Sequence, residues 1–366
     1  MIFRDRLTRR AFLKKTGMTT LGMGFGLAGK SLINGCATAP IFESKDDVAQ
    51  VEWDSNPAIP VPQDGCYFGW HKEIIGERPV TTWHLERASP EKVLQPLRAF
   101  RESYEYFPSV YSFTDKGIYE GYFPANILDQ IYSVGAIPLI RYYCSSTFEN
   151  VVKGNHDKHL GTFAQAARGY GKPFFLTPYP EVNINDKYKY IHVWGGESGT
   201  QFQKAWKHMH HIFQEEGANE YTVWGLHLIG FGPKRNYSGF AVDSSTVDWV
   251  GFSIYNLERE TSYYGGSGLP ISFSSMINDG YAWAVKHYPT KPICLLEFGS
   301  SNTRSQARWI RDAYRKIEQL PRIKLAVYYE YSTWNPVRES TNIIDDDSVN
   351  AFKNVVKNPY YIKSLY

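Results

Sequence analysis

The chain has 366 residues, of which 43% are hydrophobic and 16% aromatic, and its formal net charge is +3. Residues 1–35 contain seven of the 40 basic side chains and one of the 37 acidic ones, so the remaining 331 residues carry a net charge of −3. This remainder has no basic cluster, which argues against a nucleic-acid partner. Its length is sufficient for one large domain with a substantial core.

The N-terminus has the layout of an export signal, with a charged start followed by an apolar run of small residues. Residues 8–14 (TRRAFLK) resemble a twin-arginine signal, in which Arg9 and Arg10 would be recognised by the twin-arginine translocase. Residues 33–36 (INGC) resemble a lipoprotein box, which would make Cys36 the lipidated first residue of the mature chain. We therefore expect an exported protein, lipid-anchored to a membrane of the cell envelope on its periplasmic or outer-membrane side.

The same segment contains a match to the phosphate-binding pattern G-x-x-x-x-G-K-[ST], at residues 24–31 (GFGLAGKS). A phosphate loop needs a strand before it and a helix N-terminus after it, and neither is indicated here. We interpret the match as the glycine-rich core of the signal. A P-loop enzyme is a distant alternative, and it would require residues 24–31 to be retained in the mature protein.

Residues 36–64 mix prolines, charges and small residues without sustained periodicity, which predicts a tether between membrane and domain. Three further cysteines lie in apolar runs, and their spacing fits no zinc pattern. We expect buried free thiols at these positions, which are Cys66, Cys144 and Cys294.

Eight apolar runs rich in β-branched and aromatic residues follow, and amphipathic segments lie between most of them. The runs are residues 66–70, 109–113, 136–144, 173–181, 221–228, 248–255, 292–299 and 324–331. One helical segment begins near Thr200, with Thr200 and Gln203 placed as a capping box. Apolar strands that alternate with helices indicate a parallel sheet covered on both faces, and eight such units close a (β/α)8 TIM barrel. We predict one α/β barrel domain over residues 65–366, with a long loop between strands five and six.

Two carboxylates are candidates for chemistry in this barrel. Glu181 follows the fourth strand and Glu297 lies near the end of the seventh. Strands four and seven stand nearly opposite across the mouth, where the active sites of such barrels lie. Either residue alone could instead pair with an arginine or cap a helix. Together they suit hydrolysis of a glycosidic bond, with a separation of roughly 5–5.5 Å in a retaining enzyme.

From residue 66 to about residue 360 the chain resembles glycoside hydrolase family 26, whose retaining barrel enzymes cleave β-mannan and, in some branches, mixed-linkage β-glucan or β-1,3-xylan. The stretches that carry the resemblance are residues 154–176 leading into PEVN (180–183), 202–224, 247–256 and 291–310. The resemblance implies that Glu181 is the acid/base and Glu297 the nucleophile. It also implies that Tyr255 hydrogen-bonds the nucleophile and that Trp334 forms an aromatic platform for the sugar.

The candidates for substrate contacts are Trp70, Asn183, Trp224, Tyr255, Glu330 and Trp334. For any of the aromatic residues, a place in the barrel core is the alternative. The sequence departs from the family at Pro180, where histidine is usual, and at Thr177, where arginine is usual. Histidine can reach substrate hydroxyls near the reacting sugar, whereas proline can donate nothing, so the departure bears on specificity.

We expect a monomeric retaining endo-β-glycanase that acts on β-linked polysaccharide, with β-1,4-mannan first and mixed-linkage β-glucan or β-1,3-xylan next. No cofactor or metal is expected, since His208, His211 and the acidic triplet 345–347 do not supply a recognised ligand set. The alternative is a lipoprotein that binds polysaccharide, or assists exopolysaccharide assembly, with little hydrolysis.

Overall fold

The computed structural model describes residues 43–72, 90–115, 117–142, 146–184, 197–231, 236–257, 269–331 and 340–364. Its strands are β1 (Cys66–Lys72), β2 (Val110–Asp115), β3 (Ile137–Tyr142), β4 (Phe174–Thr177), β5 (Thr222–Ile229), β6 (Trp249–Asn256), β7 (Ile293–Ser300), β8 (Ile323–Glu330) and β9 (Tyr361–Ile362). Strands β1 to β8 pair in parallel with their neighbours in chain order. Pairing of β1 with both β8 and β2 closes the barrel, while β9 pairs with β1. The predicted (β/α)8 fold is confirmed.

The helices are α1 (Lys45–Ala49), α2 (Pro90–Tyr104), α3 (Ala125–Ser133), α4 (Phe148–Val152), α5 (Asp157–Tyr170), α6 (Gly199–Glu215), α7 (Phe273–His287), α8 (Gln306–Ile317) and α9 (Asp346–Lys357). The apolar face predicted for α6 is confirmed, since its large apolar side chains are buried. The predicted capping box is wrong by two residues, because Ser198 caps the helix and pairs with Gln201. Within the described ranges, no helix combines the length and apolarity needed to cross a bilayer.

Successive side chains of each strand point alternately into and out of the barrel, which gives two layers of buried side chains. The inner core contains Ile59, Val110, Leu139, Phe175, Val223, Trp249, Cys294, Leu296, Leu325 and Val327. These come from seven strands and the N-terminal segment and from no helix, so they fill the barrel interior. The outer layer packs the opposite strand faces against the helices. Cys66 and Cys294 are free and buried, as predicted, whereas Cys144 lies outside the described residues.

The N-terminal segment from residue 43 onward packs against the barrel, which corrects the prediction that all of residues 36–64 form a tether. Ile59 belongs to the inner core and is 1% exposed. Polar contacts join this segment to residues one or two places before the start of a strand. Glu43 Oε1 lies 2.6 Å from Arg322 Nη2, Asp54 Oδ2 lies 2.7 Å from Lys291 Nζ, and Asn56 N donates to Asp248 Oδ1 at 2.8 Å. The segment therefore closes the N-terminal end of the barrel, opposite the mouth.

Between β5 and β6, the described residues 236–248 contain two 3₁₀ turns and no α-helix, as expected for the long loop predicted there. Several sequence-based predictions fall outside the described residues. These are the export signal with Arg9 and Arg10, the lipidation site Cys36, the phosphate-loop match and Trp334.

Candidate active site

Glu297 faces the barrel interior because β7 contains a bulge. Leu296 points into the inner core, so strict alternation would turn the next side chain outward. Against β6, however, Phe252 pairs with Leu295 while Ser253 pairs with Glu297, which leaves one extra residue on β7. The pairing of β7 with β8 shifts at the same place. A bulge re-aims side chains in this way, and here it turns the carboxyl into the mouth.

Three buried side chains from three other strands surround the Glu297 carboxyl. The Arg141 guanidinium, on β3, forms an ion pair with Oε1. The Tyr255 hydroxyl, on β6, donates a hydrogen bond of 2.6 Å to Oε2. His227 Nε2, on β5, lies 3.8 Å from Oε1 and 2.7 Å from Ser253 Oγ. Contacts to both oxygens therefore hold the carboxyl group in position.

Burial also sets the acidity of this carboxyl. Desolvation raises the pKa of Glu297 to about 7, while the Arg141 guanidinium acts to lower it. The nearby Glu181 carboxylate raises that pKa further, and the hydrogen bond from Tyr255 lowers it. The structure therefore brings Glu181 and Glu297 close enough to interact electrostatically.

Glu181 lies in a turn after β4, rather than at the end of the strand as predicted. The strand ends at Thr177 because Pro178 and Pro180 have no backbone N–H to continue the ladder. Glu181 itself adopts a left-handed backbone conformation with φ of 54°, and its side chain is 3% exposed. Left-handed backbone at a bulky residue is uncommon, and it is often found at functional sites.

Asn183, predicted as a substrate contact, instead bonds to the backbone of β5. Its Oδ1 accepts from Ile229 N at 2.7 Å, and its Nδ2 donates to Ile229 O at 3.4 Å. The side chain is buried, so both ends of the amide are engaged within the protein.

Trp70 and Glu330 contact each other in the outer layer, which corrects their prediction as cleft residues. Trp70 packs on Phe100 of α2, with ring centroids 4.6 Å apart. Its Nε1 donates to Glu330 Oε1 at 2.9 Å, and Lys72 Nζ contacts Oε2 at 2.6 Å. On β8 the alternation turns Glu330 outward and leaves Tyr329 facing the mouth. The Glu330 carboxylate therefore joins β1 to β8 instead of meeting a sugar.

Trp224 also lies in the outer layer, and its prediction as a cleft residue is corrected. It is 1% exposed, and its ring contacts Trp206 and Phe213 of α6 at centroid distances of 5.4 and 5.0 Å. Its Nε1 donates to Asn219 Oδ1 at 2.9 Å. The residue is the third of β5, far from the C-terminal end where the mouth lies.

Sequence reasoning did not identify four residues at the mouth, which are His71, Arg141, His227 and Tyr329. Arg141 and His227 occupy inward positions of β3 and β5, in phase with inner-core residues two and four places earlier. His71 stacks on Tyr329 with ring centroids 4.0 Å apart and an interplanar angle of 5°. A polar residue in the inward phase of an apolar strand was the available signal, and period-two counting identifies Arg141, His227 and His71.

The side chains considered for a metal have other contacts. His208 Nε2 lies 2.7 Å from Asp157 Oδ1, and His211 Nε2 lies 3.3 Å from Glu215 Oε1. Asp345 accepts from Ser348 N and caps α9. Among the described residues, no group of three or more His, Cys, Asp or Glu side chains is arranged to hold a metal ion.

The chain is similar to known polysaccharide-degrading enzymes, although no family model matches it. A 197-residue region, 52% of the chain, is 28% identical to Endoglucanase H of Acetivibrio thermocellus. The match spans about one fifth of that relative, 21% of its length.

Solved structures resemble the barrel more completely. The GH26 domain of an endo-β-mannanase/endo-β-glucanase from Prevotella bryantii has a TM-score of 0.56 and 11% identity, over 82% of this chain and 91% of that one. A modular endo-β-1,4-mannanase from Cellulomonas fimi has a TM-score of 0.58 and 14% identity, over 82% and 72%. The fold is similar to that of family 26 glycoside hydrolases.

Proposed function

We propose that the protein is a glycoside hydrolase, specifically a retaining endo-β-glycanase in which Glu297 is the nucleophile and Glu181 the acid/base. The observation that carries this proposal is the meeting of two buried carboxyl groups at the mouth of the barrel. A carboxylate pair in such a mouth is the arrangement that glycosidic hydrolysis requires. The family 26 fold supports the same reaction class.

The surroundings of Glu297 suit a nucleophile. Arg141 and Tyr255 both stabilise the negative charge of Glu297, the state in which a carboxylate attacks. In the first step a Glu297 oxygen bonds to the anomeric carbon as the glycosidic C–O bond breaks, and Glu181 gives its proton to the departing oxygen. In the second step Glu181 removes a proton from water, whose oxygen attacks the anomeric carbon and releases Glu297.

The proposed substrate is β-1,4-mannan, with mixed-linkage β-glucan and β-1,3-xylan next. The similar protein from Prevotella bryantii is an endo-β-mannanase/endo-β-glucanase, and that from Cellulomonas fimi is an endo-β-1,4-mannanase. Pro180 stands where the family usually has histidine, and a proline side chain donates no hydrogen bond to a sugar.

The test is to incubate the full chain with β-mannan, mixed-linkage β-glucan, β-1,3-xylan and β-1,4-xylan, beside a Glu297→Gln variant. Mass spectrometry then measures the oligosaccharides released. We expect release from one polymer by the wild type and none by the variant. Absence of release from all four polymers by folded protein would contradict a glycanase of this class.

A polysaccharide-binding or exopolysaccharide-assembly protein is the second candidate, favoured by the absence of a donor at Pro180. Glu297→Gln separates the two functions as well. An enzyme should lose turnover in the variant, whereas a binding protein should bind polysaccharide equally well in both forms and release no oligosaccharide in either.

We further propose that the protein is exported through the twin-arginine translocase and anchored by a lipid on Cys36. The support is the sequence of residues 1–36, which the structure does not describe. Mass analysis of the N-terminus of protein purified from membranes tests this. A lipidated Cys36 supports the proposal, whereas retention of residues 24–31 would contradict it and revive the phosphate loop.

A further inference from the structure

The turn that carries Glu181 is attached to β5 after β4 has ended. Regular pairing of β4 with β5 runs as far as Leu176 and Trp224. The chain then leaves the ladder at the two prolines and returns at Val182, whose N–H donates to His227 O at 3.0 Å. The next residue, Asn183, makes its two amide bonds to Ile229. The side chain of Asn183 thus continues the ladder where the backbone no longer can.

This attachment is strong because both partners are buried. Asn183 and Ile229 are 4% and 7% exposed, so bulk water has little access to the Ile229 N–H and C=O. A buried backbone N–H left without an acceptor costs about 1–3 kcal/mol. The native position of the turn is therefore favoured over any displacement that would break these bonds.

The attachment also holds a strained residue. Among the described non-glycine residues, positive φ occurs at Glu105 and Glu181. Such a conformation costs on the order of 1–3 kcal/mol and persists only where the surroundings impose it. For Glu181 the surroundings are the bonds of Val182 and Asn183 immediately downstream, together with that from Ile184 N to Glu181 O at 2.9 Å.

The same strand contacts the second carboxyl. The His227 side chain reaches Glu297 Oε1 at 3.8 Å, while its backbone carbonyl holds the turn through Val182. Strand β5 therefore contacts Glu297 directly, and it contacts the turn that carries Glu181 through Val182 and Asn183.

We propose that Asn183 is a positioning residue for the acid/base, and that its amide aims the Glu181 carboxyl at the leaving oxygen by fixing the turn to Ile229. This inference rests on the proposed glycosidase function. It assigns Asn183 no contact with the sugar. Removing the amide displaces the proton donor while leaving the nucleophile in place.

The test compares two substrates that differ in their need for an acid. Polysaccharide has a poor leaving group that must be protonated, whereas 2,4-dinitrophenyl β-mannobioside, or the β-cellobioside if glucan is the polymer cleaved, departs without protonation. Asn183→Ala should lower kcat/KM for the polysaccharide by roughly 10- to 100-fold, but for the aryl glycoside by less than about threefold. Asn183→Leu keeps the side-chain volume and should show the same split, meaning a large loss on the polysaccharide and a small loss on the aryl glycoside.

Two controls make the outcome decisive. Glu181→Ala should show the same split more strongly, and azide should accelerate turnover of the aryl glycoside in both Glu181→Ala and Asn183→Ala by replacing water at the second step. Asn56→Ala removes another amide that bonds backbone carbonyls, at the opposite end of the barrel, and should show no split.

Equal losses on both substrates in the Asn183 variants would overturn the proposal, since they would indicate a structural role alone. A split in Glu181→Ala with wild-type ratios in the Asn183 variants would also overturn it, while leaving the proposed function intact. No split in Glu181→Ala would instead refute the assignment of the acid/base itself.

Discussion

The Tyr255 hydroxyl donates a 2.6 Å hydrogen bond to Oε2 of Glu297, while the Arg141 guanidinium contacts Oε1 of the same carboxyl. The two oxygens therefore have different partners, and both partners favour the ionised form. Burial acts in the opposite direction and is the larger effect, since it brings the pKa of Glu297 to about 7. The charge state of Glu297 near neutral pH thus depends on these two neighbours.

Tyr255→Phe should move the acid limb of the pH profile to higher pH. The hydroxyl bond lowers the pKa of Glu297, so its loss raises that pKa further above its ordinary value. A hydrogen bond to a charged group contributes about 1.5 kcal/mol or more, which corresponds to a shift of about one pH unit. Measurement of kcat/KM between about pH 5 and 9 checks this. Tyr288→Phe, which removes a buried hydroxyl bonded to the backbone of Val242, is the matched control and should leave the limb unchanged.

Arg141→Met should reduce activity at neutral pH more than at alkaline pH. Without the guanidinium, the buried Glu297 carboxyl loses the strongest influence that lowers its pKa. We expect kcat/KM at pH 7 to fall by roughly 10²- to 10³-fold, the range for removing one electrostatic contact from a catalytic site. Part of this activity should return as the pH rises. A loss that is independent of pH would mean that Arg141 acts through shape alone.

The stability of the fold should also depend on Glu297. Its folded pKa of about 7 exceeds the ordinary value of 4.5, so the folded state retains a proton that the unfolded chain releases. This contribution to the free energy of unfolding is complete below about pH 4.5 and is lost as the pH rises through about 7. Urea unfolding of wild type and Glu297→Gln at acidic and alkaline pH should show a smaller decline in the variant. Parallel declines would contradict the raised pKa.

Trp224→Ala should destabilise the fold by about 3–5 kcal/mol without weakening polysaccharide binding, because the ring packs between β5 and α6. Trp224→Phe should cost less, since it keeps much of the ring volume. Thermal or urea unfolding measures stability, and the dissociation constant is measured in the Glu297→Gln background. A marked loss of affinity would place Trp224 in the cleft after all.

Ile59→Ala should destabilise the barrel by about 2–4 kcal/mol, since the side chain fills the N-terminal end of the inner core. Val61→Ala, at a half-buried position of the same segment, is the matched control and should cost clearly less. Urea unfolding of the two variants distinguishes them. Equal, small losses would indicate that the segment is a tether as predicted from its composition.

The sequence was sufficient to place all eight barrel strands, because buried parallel strands are continuous apolar runs. The buried face of α6 followed from its helical periodicity, and its N-cap was misplaced by two residues. The pair Glu181 and Glu297 was predicted from the order of the strands they follow, and the structure brings the two carboxyl groups close enough to interact. The segment before β1 was misjudged, since its packing depends on single residues such as Ile59 rather than on any repeat.

The details of the mouth were harder to predict, because they depend on side-chain direction. Local sequence does not reveal the bulge that turns Glu297 inward, since it arises from the register of three strands. Trp70 and Trp224 were assigned to the cleft by residue type, whereas strand phase places both in the outer layer. The same phase would have found Arg141. The role of Asn183 depends on the break of β4 at two prolines, which only the fold shows.

The most direct test of the account is to trap the glycosyl-enzyme. A 2-deoxy-2-fluoro glycoside with a good leaving group, derived from the disaccharide that the enzyme releases, slows the second step more than the first. We predict that mass spectrometry of the digested protein will find the added sugar on the β7 peptide, at Glu297, and that Glu297→Gln will remain unlabelled. Attachment to another residue, or turnover of the polymer by the Gln variant, would contradict the two-carboxylate mechanism.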